Sequence, residues 1–172
     1  MGAYKYIQET MEKEYKEGNS LFKQKVRSWR RGPTMAKVDR PTNLTRARRL
    51  GYKAKQGYVI VRVRMEKGRR RRPTPFGGRK PRHNYRLVQP NLSHQAIAEQ
   101  KANRRFRNME VLNSYWIGED GNYKFFEVIL AEPARAGVKT NSITRRGKSF
   151  RGLTSQGKKA RGLGRGRKKL SA

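Results

Sequence analysis

Between residues 58 and 66 the chain alternates strictly. Val59, Val61, Val63 and Met65 fall on one side, and Ile60, Arg62, Arg64 and Glu66 on the other. This is the period of a strand with one face in a core and the other carrying cations. Upstream the period changes to that of a helix: Tyr4, Ile7, Met11 and Tyr15 share a stripe, Glu9–Lys13 and Glu12–Lys16 are spaced as i,i+4 pairs, and Gly18 is placed to stop the helix. Ser20 is placed to cap a second helix with Phe22, Val26 and Trp29 on one face and Lys23, Arg27 and Arg30 towards the other. The aromatic residues are expected to pack these two helices together, base stacking by Trp29 being the sharper alternative. Pro33 and Pro41 bracket a breaker-rich connector, after which Thr42 to Leu50 form a short Arg-rich helix that Gly51 ends.

From Asn91 a third pattern begins. Ser93 is a plausible N-cap for a helix carrying Ile97, Ala98, Ala102 and Phe106, with Arg104, Arg105 and Arg107 at the end where cations complement the helix dipole. Val111 to Ile117 and Tyr123 to Ala131 read as two strands around GEDGN, hence a hairpin. The second strand, YKFFEVILA, is apolar on both sides, which suits a central position covered by helices, while Tyr115 and Trp116 in the first are large enough to dominate a small core. The fold class is therefore α+β: a small antiparallel sheet with flanking helices, joined by the strand at 58–66, plus long basic irregular extensions.

Charge divides the chain further. The 172 residues carry 44 Lys and Arg against 12 Asp and Glu, a net charge of +32. Residues 1–43 hold 10 cations against 5 acids, 44–90 hold 16 against 1, 91–132 hold 5 against 6, and 133–172 hold 13 against 0. Only a locally balanced, apolar segment can bury itself, so the body is expected from 91–132 and the strand, with 67–90 and 133–172 ordered chiefly by a partner. The domain division is a helical segment at 1–43, a small α+β body at 44–132 containing a basic loop at 67–90, and a basic Gly/Arg-rich extension at 133–172. So much uncompensated positive charge implies a polyanionic partner.

Other chemistry is sparse. Without cysteine there is no disulfide framework and no Cys-based zinc site. His83 and His94 lack ligand-spaced partners, and Glu119 with Asp120 is accounted for by a tight turn. GLGRGR at 162–167 follows no strand and opens no helix, so no nucleotide-binding loop is read there. No catalytic residue, metal, cofactor, small-molecule substrate, membrane span or second copy of the chain is expected, and the protein should be soluble and cytoplasmic. RGL recurs at 151–153 and 161–163 within an acid-free stretch, which reads as a flexible thread of phosphate contacts. The same charge would also serve a DNA-compacting, chromatin-like protein, and more weakly a basic enzyme acting on nucleic acid.

Four blocks carry a family likeness: MGAYKYIQE at the start, ARRLGYKAKQGYVI at 47–60, VLNSYWIGEDGNYKFFEVIL at 111–130 and RGLTSQGKKARGLGRG at 151–166. Together they make the chain resemble the e-type (archaeal and eukaryotic) large-subunit ribosomal protein fifteen, and the ending at KKLSA resembles archaeal members. The resemblance implies a non-enzymatic structural constituent of the large ribosomal subunit that binds large-subunit rRNA and sits among neighbouring large-subunit ribosomal proteins. The cations expected to meet RNA are Arg46, Arg48, Arg49, Lys53 and Lys55 before the strand and Arg62 and Arg64 on it. In the basic loop they are Arg69, Arg70, Arg71, Arg72, Arg79, Lys80 and Arg82. In the extension they are Arg145, Arg146, Lys148, Arg151, Lys158, Lys159, Arg161, Arg165, Arg167, Lys168 and Lys169.

Overall fold

The structure, a computed structural model, describes residues 2–68, 73–78, 82, 85–86, 90–133, 135 and 146–163. Its elements in chain order are α1 (Ala3–Glu17), α2 (Ser20–Arg31), β1 (Met35–Val38), α3 (Leu44–Arg49), β2 (Tyr58–Glu66), α4 (His94–Arg105), β3 (Glu110–Glu119), β4 (Tyr123–Ala131) and α5 (Ser155–Ala160). The four strands form one antiparallel sheet in the order β1-β2-β4-β3. The expected α+β architecture is present, and β4 is its central, fully covered strand.

β1 has no counterpart in the hydrophobic pattern. Its four residues lie inside the proline-bracketed connector, and Met35 pairs with Val63 while Val38 pairs with Ile60. A strand this short, with one exposed lysine, shows too little alternation to be seen without its partner.

Helices cover both faces of the sheet, giving three layers. On one side Ala98 and Ala102 of α4 lie against Val61, Val63 and Met65 of β2 and Phe126, Val128 and Leu130 of β4, with Val111 completing the cluster. On the other side Phe22 and Val26 of α2 and Ala47 of α3 meet Phe125 and Ile129 of β4 and Tyr115 and Ile117 of β3. The odd and even residues of β4 thus feed different cores, as the pleat requires. From the helical segment at 1–43, α2 and β1 are parts of this sandwich. Its aromatic face packs on the sheet as well as on α1, Trp29 meeting Phe125 edge-on at 5.5 Å and Phe22 meeting Tyr15 at 5.5 Å. Gly118 of β3 makes room for this, because a Cβ there would lie 2.8 Å from the Phe22 ring.

Local details sharpen the helix ends. The N-cap of α2 is Asn19, one residue before the expected Ser20. On α1 the ion pairs are Lys5–Glu9 at 3.7 Å and Lys13–Glu17 at 3.8 Å, while Glu12 accepts from Gln8 at 2.9 Å. Ser93 caps α4 as expected, its hydroxyl accepting from the Ala96 amide at 3.2 Å. In β3, bulges at 111–113 and 116–118 break the alternation. Tyr115 is buried, but Trp116 lies outside the core at 38% exposure, edge-on to Tyr15 at 4.6 Å.

The extension departs most from its expected form. Residues 146–163 pack back on the body. The Asn103 amide donates to the Ser149 hydroxyl at 3.0 Å, the Gly147 amide to Glu110 at 3.0 Å, and Ser149, Thr154 and Gly157 are buried. The RGL repeat has a structural meaning here. Leu153 donates to the Lys148 carbonyl at 3.0 Å and Leu163 to the Lys158 carbonyl at 2.9 Å, with Gly152 (φ 62°) and Gly162 (φ 71°) left-handed just before. Each RGL is therefore the same six-residue closure that ends a helical turn on glycine.

Candidate nucleic-acid interface

α3 is a single short helix started by Asn43, whose side chain accepts from the Arg46 amide at 2.8 Å. Thr45 and Ala47 point inward and are buried, so Arg46, Arg48 and Arg49 are left on the outer side, all exposed. Tyr52 closes the helix by donating back to the Ala47 carbonyl at 3.0 Å, and the loop that follows presents Lys53 and Lys55, also exposed. The Lys55 ammonium lies 6.0 Å from the Tyr58 ring. Arg48 donates to the Tyr4 hydroxyl and stands 5.6 Å from its ring centre, and Arg49 donates to Gln8 at 3.4 Å. These five cations form the densest exposed group among the described residues before β2.

Arg62 and Arg64 are placed differently. Their face of β2 is covered by α2, so the side chains are drawn into the fold. Arg62 lies directly across from Glu127 in the ladder, 3.8 Å from its carboxylate, and its guanidinium stacks 4.6 Å above Trp29. Burial lowers its pKa, an effect that the charge of Glu127 partly offsets. Arg64 donates to the carbonyls of Arg30 and Gly32, the latter at 3.2 Å, and sits 4.8 Å from the Tyr123 ring. Glu127 itself is fully buried, accepting from the Thr42 hydroxyl at 2.5 Å, from the Thr42 amide at 3.1 Å and from the Tyr115 hydroxyl. A carboxylate held by that many donors is a clamp between β4, β3 and the start of α3.

In the extension Arg146, Arg151, Lys158, Lys159 and Arg161 are exposed. Two of them also brace the turns: Arg151 donates to the Arg146 carbonyl at 2.5 Å and Arg161 to the Gly152 carbonyl at 2.8 Å. Lys148, by contrast, is buried near Glu99 and Glu110, and burial followed by the like charge of Lys158 lowers its pKa. Arg82 is exposed. The expected contacts Arg69, Arg70, Arg71, Arg72, Arg79, Lys80, Arg145, Arg165, Arg167, Lys168 and Lys169, and His83, lie outside the described residues.

Sequence reasoning assigned Arg104, Arg105 and Arg107 to the helix dipole alone. All three are exposed, and the Asn103–Ser149 bond sets α4's last turn against the 146–150 segment. Their clustering on the polar side of a capped helix was the signal available. The acids of the hairpin, in turn, are taken up structurally. Asp120 accepts from the amides of Asn122 and Tyr123 at 2.9 and 2.6 Å, and Glu119 pairs with Lys67 at 3.1 Å and Lys124 at 3.6 Å. Burial raises the Glu119 pKa, but the two lysines more than reverse that and leave it below the usual carboxylate value.

Among the described residues no group of three or more His, Cys, Asp or Glu side chains could hold a metal ion, and no helix is long and apolar enough to cross a membrane. The arrangement suits neutralisation of a phosphate backbone by exposed guanidinium and ammonium groups on a rigid frame.

The family model described as Ribosomal L15 matches residues 2–172. The chain is 46% identical over 160 residues to the large ribosomal subunit protein eL15 of Nanoarchaeum equitans, covering 88% of this chain and 84% of that protein. It is 43% identical over 159 residues to the protein of the same name from Methanocella arvoryzae, covering 87% of this chain and 81% of the relative. A match running through body, basic loop and extension alike shows that the chain belongs to the ribosomal L15e family.

Proposed function

We infer that the chain is a structural, non-enzymatic constituent of the large ribosomal subunit, working in the cytoplasm as part of the ribosome. The observation that carries this is family membership over the full length of the fold. The finer reading is that it binds and stabilises large-subunit rRNA by phosphate neutralisation, alongside neighbouring ribosomal proteins. Arg46, Arg48, Arg49, Lys53 and Lys55 form one contact region, and Arg146, Arg151, Lys158, Lys159 and Arg161 form another, joined by Arg104, Arg105 and Arg107. What supports it is their exposure on a body with two packed hydrophobic clusters. The cations at 69–72, 79–80, 145 and 165–169 join the reading on charge alone.

A-form RNA offers its backbone and minor groove more readily than its base edges, so such contacts recognise shape more than sequence. Crosslinking in intact large subunits, with both the nucleotide and the attached residue mapped, tests the assignment. Crosslinks are expected at 46–55, at 104–107 and in 146–161. A pattern confined to α1 and the hairpin turn at 119–122 would overturn it.

A further inference from the structure

Between the first two turns of α1 and α3 lies a crevice of about 560 Å³, lined by Tyr4, Lys5, Gln8, Thr45, Arg48 and Arg49. Three cations and no acid line it, and its aromatic floor, Tyr4, is 43% exposed. The guanidinia are held in place by the protein. Arg48 is fixed on the Tyr4 hydroxyl and Arg49 on Gln8, whose amide nitrogen is in turn engaged by Glu12. A second crevice of about 500 Å³, between α1 and β3, includes Glu12 in its wall and lacks this charge pattern. Arg48 stands over the Tyr4 ring at 5.6 Å from its centre, and a phosphate alone would use the cations without engaging the rest of that aromatic surface. A nucleotide uses both, since unstacked bases lie on aromatic rings and guanidinium planes while the backbone meets cations. The volume falls in the range of small-molecule sites.

We propose that this crevice receives one unpaired nucleotide of the rRNA, its base stacked on Tyr4 and its phosphate held by Arg48 and Arg49. This rests on the rRNA-binding reading above and adds a defined receptor to it. Gln8 is engaged at both ends of its amide and Thr45 donates to the Tyr4 carbonyl at 3.4 Å, so the ring of Tyr4 and the cations are the groups the crevice offers most directly.

The test is binding of the full chain to large-subunit rRNA from an archaeal relative, measured across a salt series for the wild type, Tyr4→Leu and Tyr4→Phe. Tyr4→Leu is expected to bind about tenfold more weakly with the same salt slope, the loss carried by one base–aromatic stack. Tyr4→Phe is expected to restore most of that loss. Equal affinity of Tyr4→Leu and wild type overturns the crevice assignment while leaving rRNA binding intact. Failure of the wild type to bind would instead overturn the underlying reading as well. Should Tyr4→Leu fold poorly, ultraviolet crosslinking of the unaltered protein in intact subunits decides: the expected adduct joins Tyr4 to an unpaired nucleotide. A Tyr4 that crosslinks only to protein, or to no nucleotide, overturns the proposal.

Discussion

Glu99 lies fully buried in α4, accepting from the Ser114 hydroxyl with Lys148 nearby. Burial raises its pKa, and the hydroxyls of Ser114 and Thr154 and the charge of Lys148 only partly offset this. A carboxyl group whose folded pKa exceeds its unfolded one favours folding while protonated. That contribution is complete below the unfolded value, about 4.3, and is lost as pH rises through the raised folded value. Glu99→Gln is therefore expected to melt higher than the wild type at neutral pH, with the difference vanishing near about pH 4. Thermal melts at high salt across that range check it, and a lower melt at neutral pH would mean that the pairing with Lys148 outweighs burial. Gly157 makes a different demand. A Cβ there would stand 2.5 Å from the Gly152 Cα and 2.6 Å from its carbonyl carbon, and backbone cannot swing aside. Gly157→Ala should cost about 1–3 kcal/mol even though alanine is the better helix former. Gly121→Ala, with nothing within 4 Å, should melt like the wild type.

At the scale of elements, β2 shows how far a pattern can be trusted. Its limits and its α4-facing residues follow directly from alternation, because Val61, Val63 and Met65 need a core on one side. The opposite face reads as a cation surface in sequence, but α2 covers it and turns Arg62 into a wedge between Trp29 and Glu127. Arg62→Ala should destabilise the fold by about 3 kcal/mol, the lower end for breaking a buried pair, since its side chain keeps 20% exposure. Lys53→Ala and Lys55→Ala should change stability by less than about 0.5 kcal/mol. Each should instead weaken rRNA binding and lower the salt slope by about one ion. Melting curves paired with binding titrations separate the two classes. The capped start of α4, the hairpin and the apolar stripe of α2 were equally legible, each carried by residues in one short window. β1 was not, having only four residues and a remote partner. Nor was the folding of 146–163, whose order comes from polar pairs such as Asn103–Ser149 and Gly147–Glu110, which leave no hydrophobic period. In the interface, α3 and its loop were legible as exposed cations, while the burial of Lys148 and the coverage of Arg62 depend on neighbours distant in sequence.

Over the whole molecule, several of the acids are buried or ion-paired. Of the 12, Glu99, Glu110 and Glu127 are buried, Glu119 and Asp120 are ion-paired, Glu9, Glu12, Glu14 and Glu17 lie on α1, Glu132 is half-buried, and Asp39 and Glu66 are exposed. Residues 44–65 and 133–172 contain no acid, so affinity for free rRNA should fall steeply and log-linearly with salt. Filter-binding or mobility-shift titrations measure that slope, and a shallow one would point to an interface that is not built on phosphate contacts. The sheet order also governs how the chain reaches this state. β2 must find β4 across the segment between Glu66 and Tyr123, and residues 67–90 within it carry nine Lys and Arg and no acid. Bringing the two strands together concentrates that charge before any ladder bond rewards it, so self-repulsion adds to the entropy of closing a long loop. Counterions relieve the repulsion in the free chain, and rRNA would do so once bound. The refolding rate of the isolated protein should therefore rise with ionic strength while its unfolding rate changes little, making the polyanion an accelerant of folding as well as its destination.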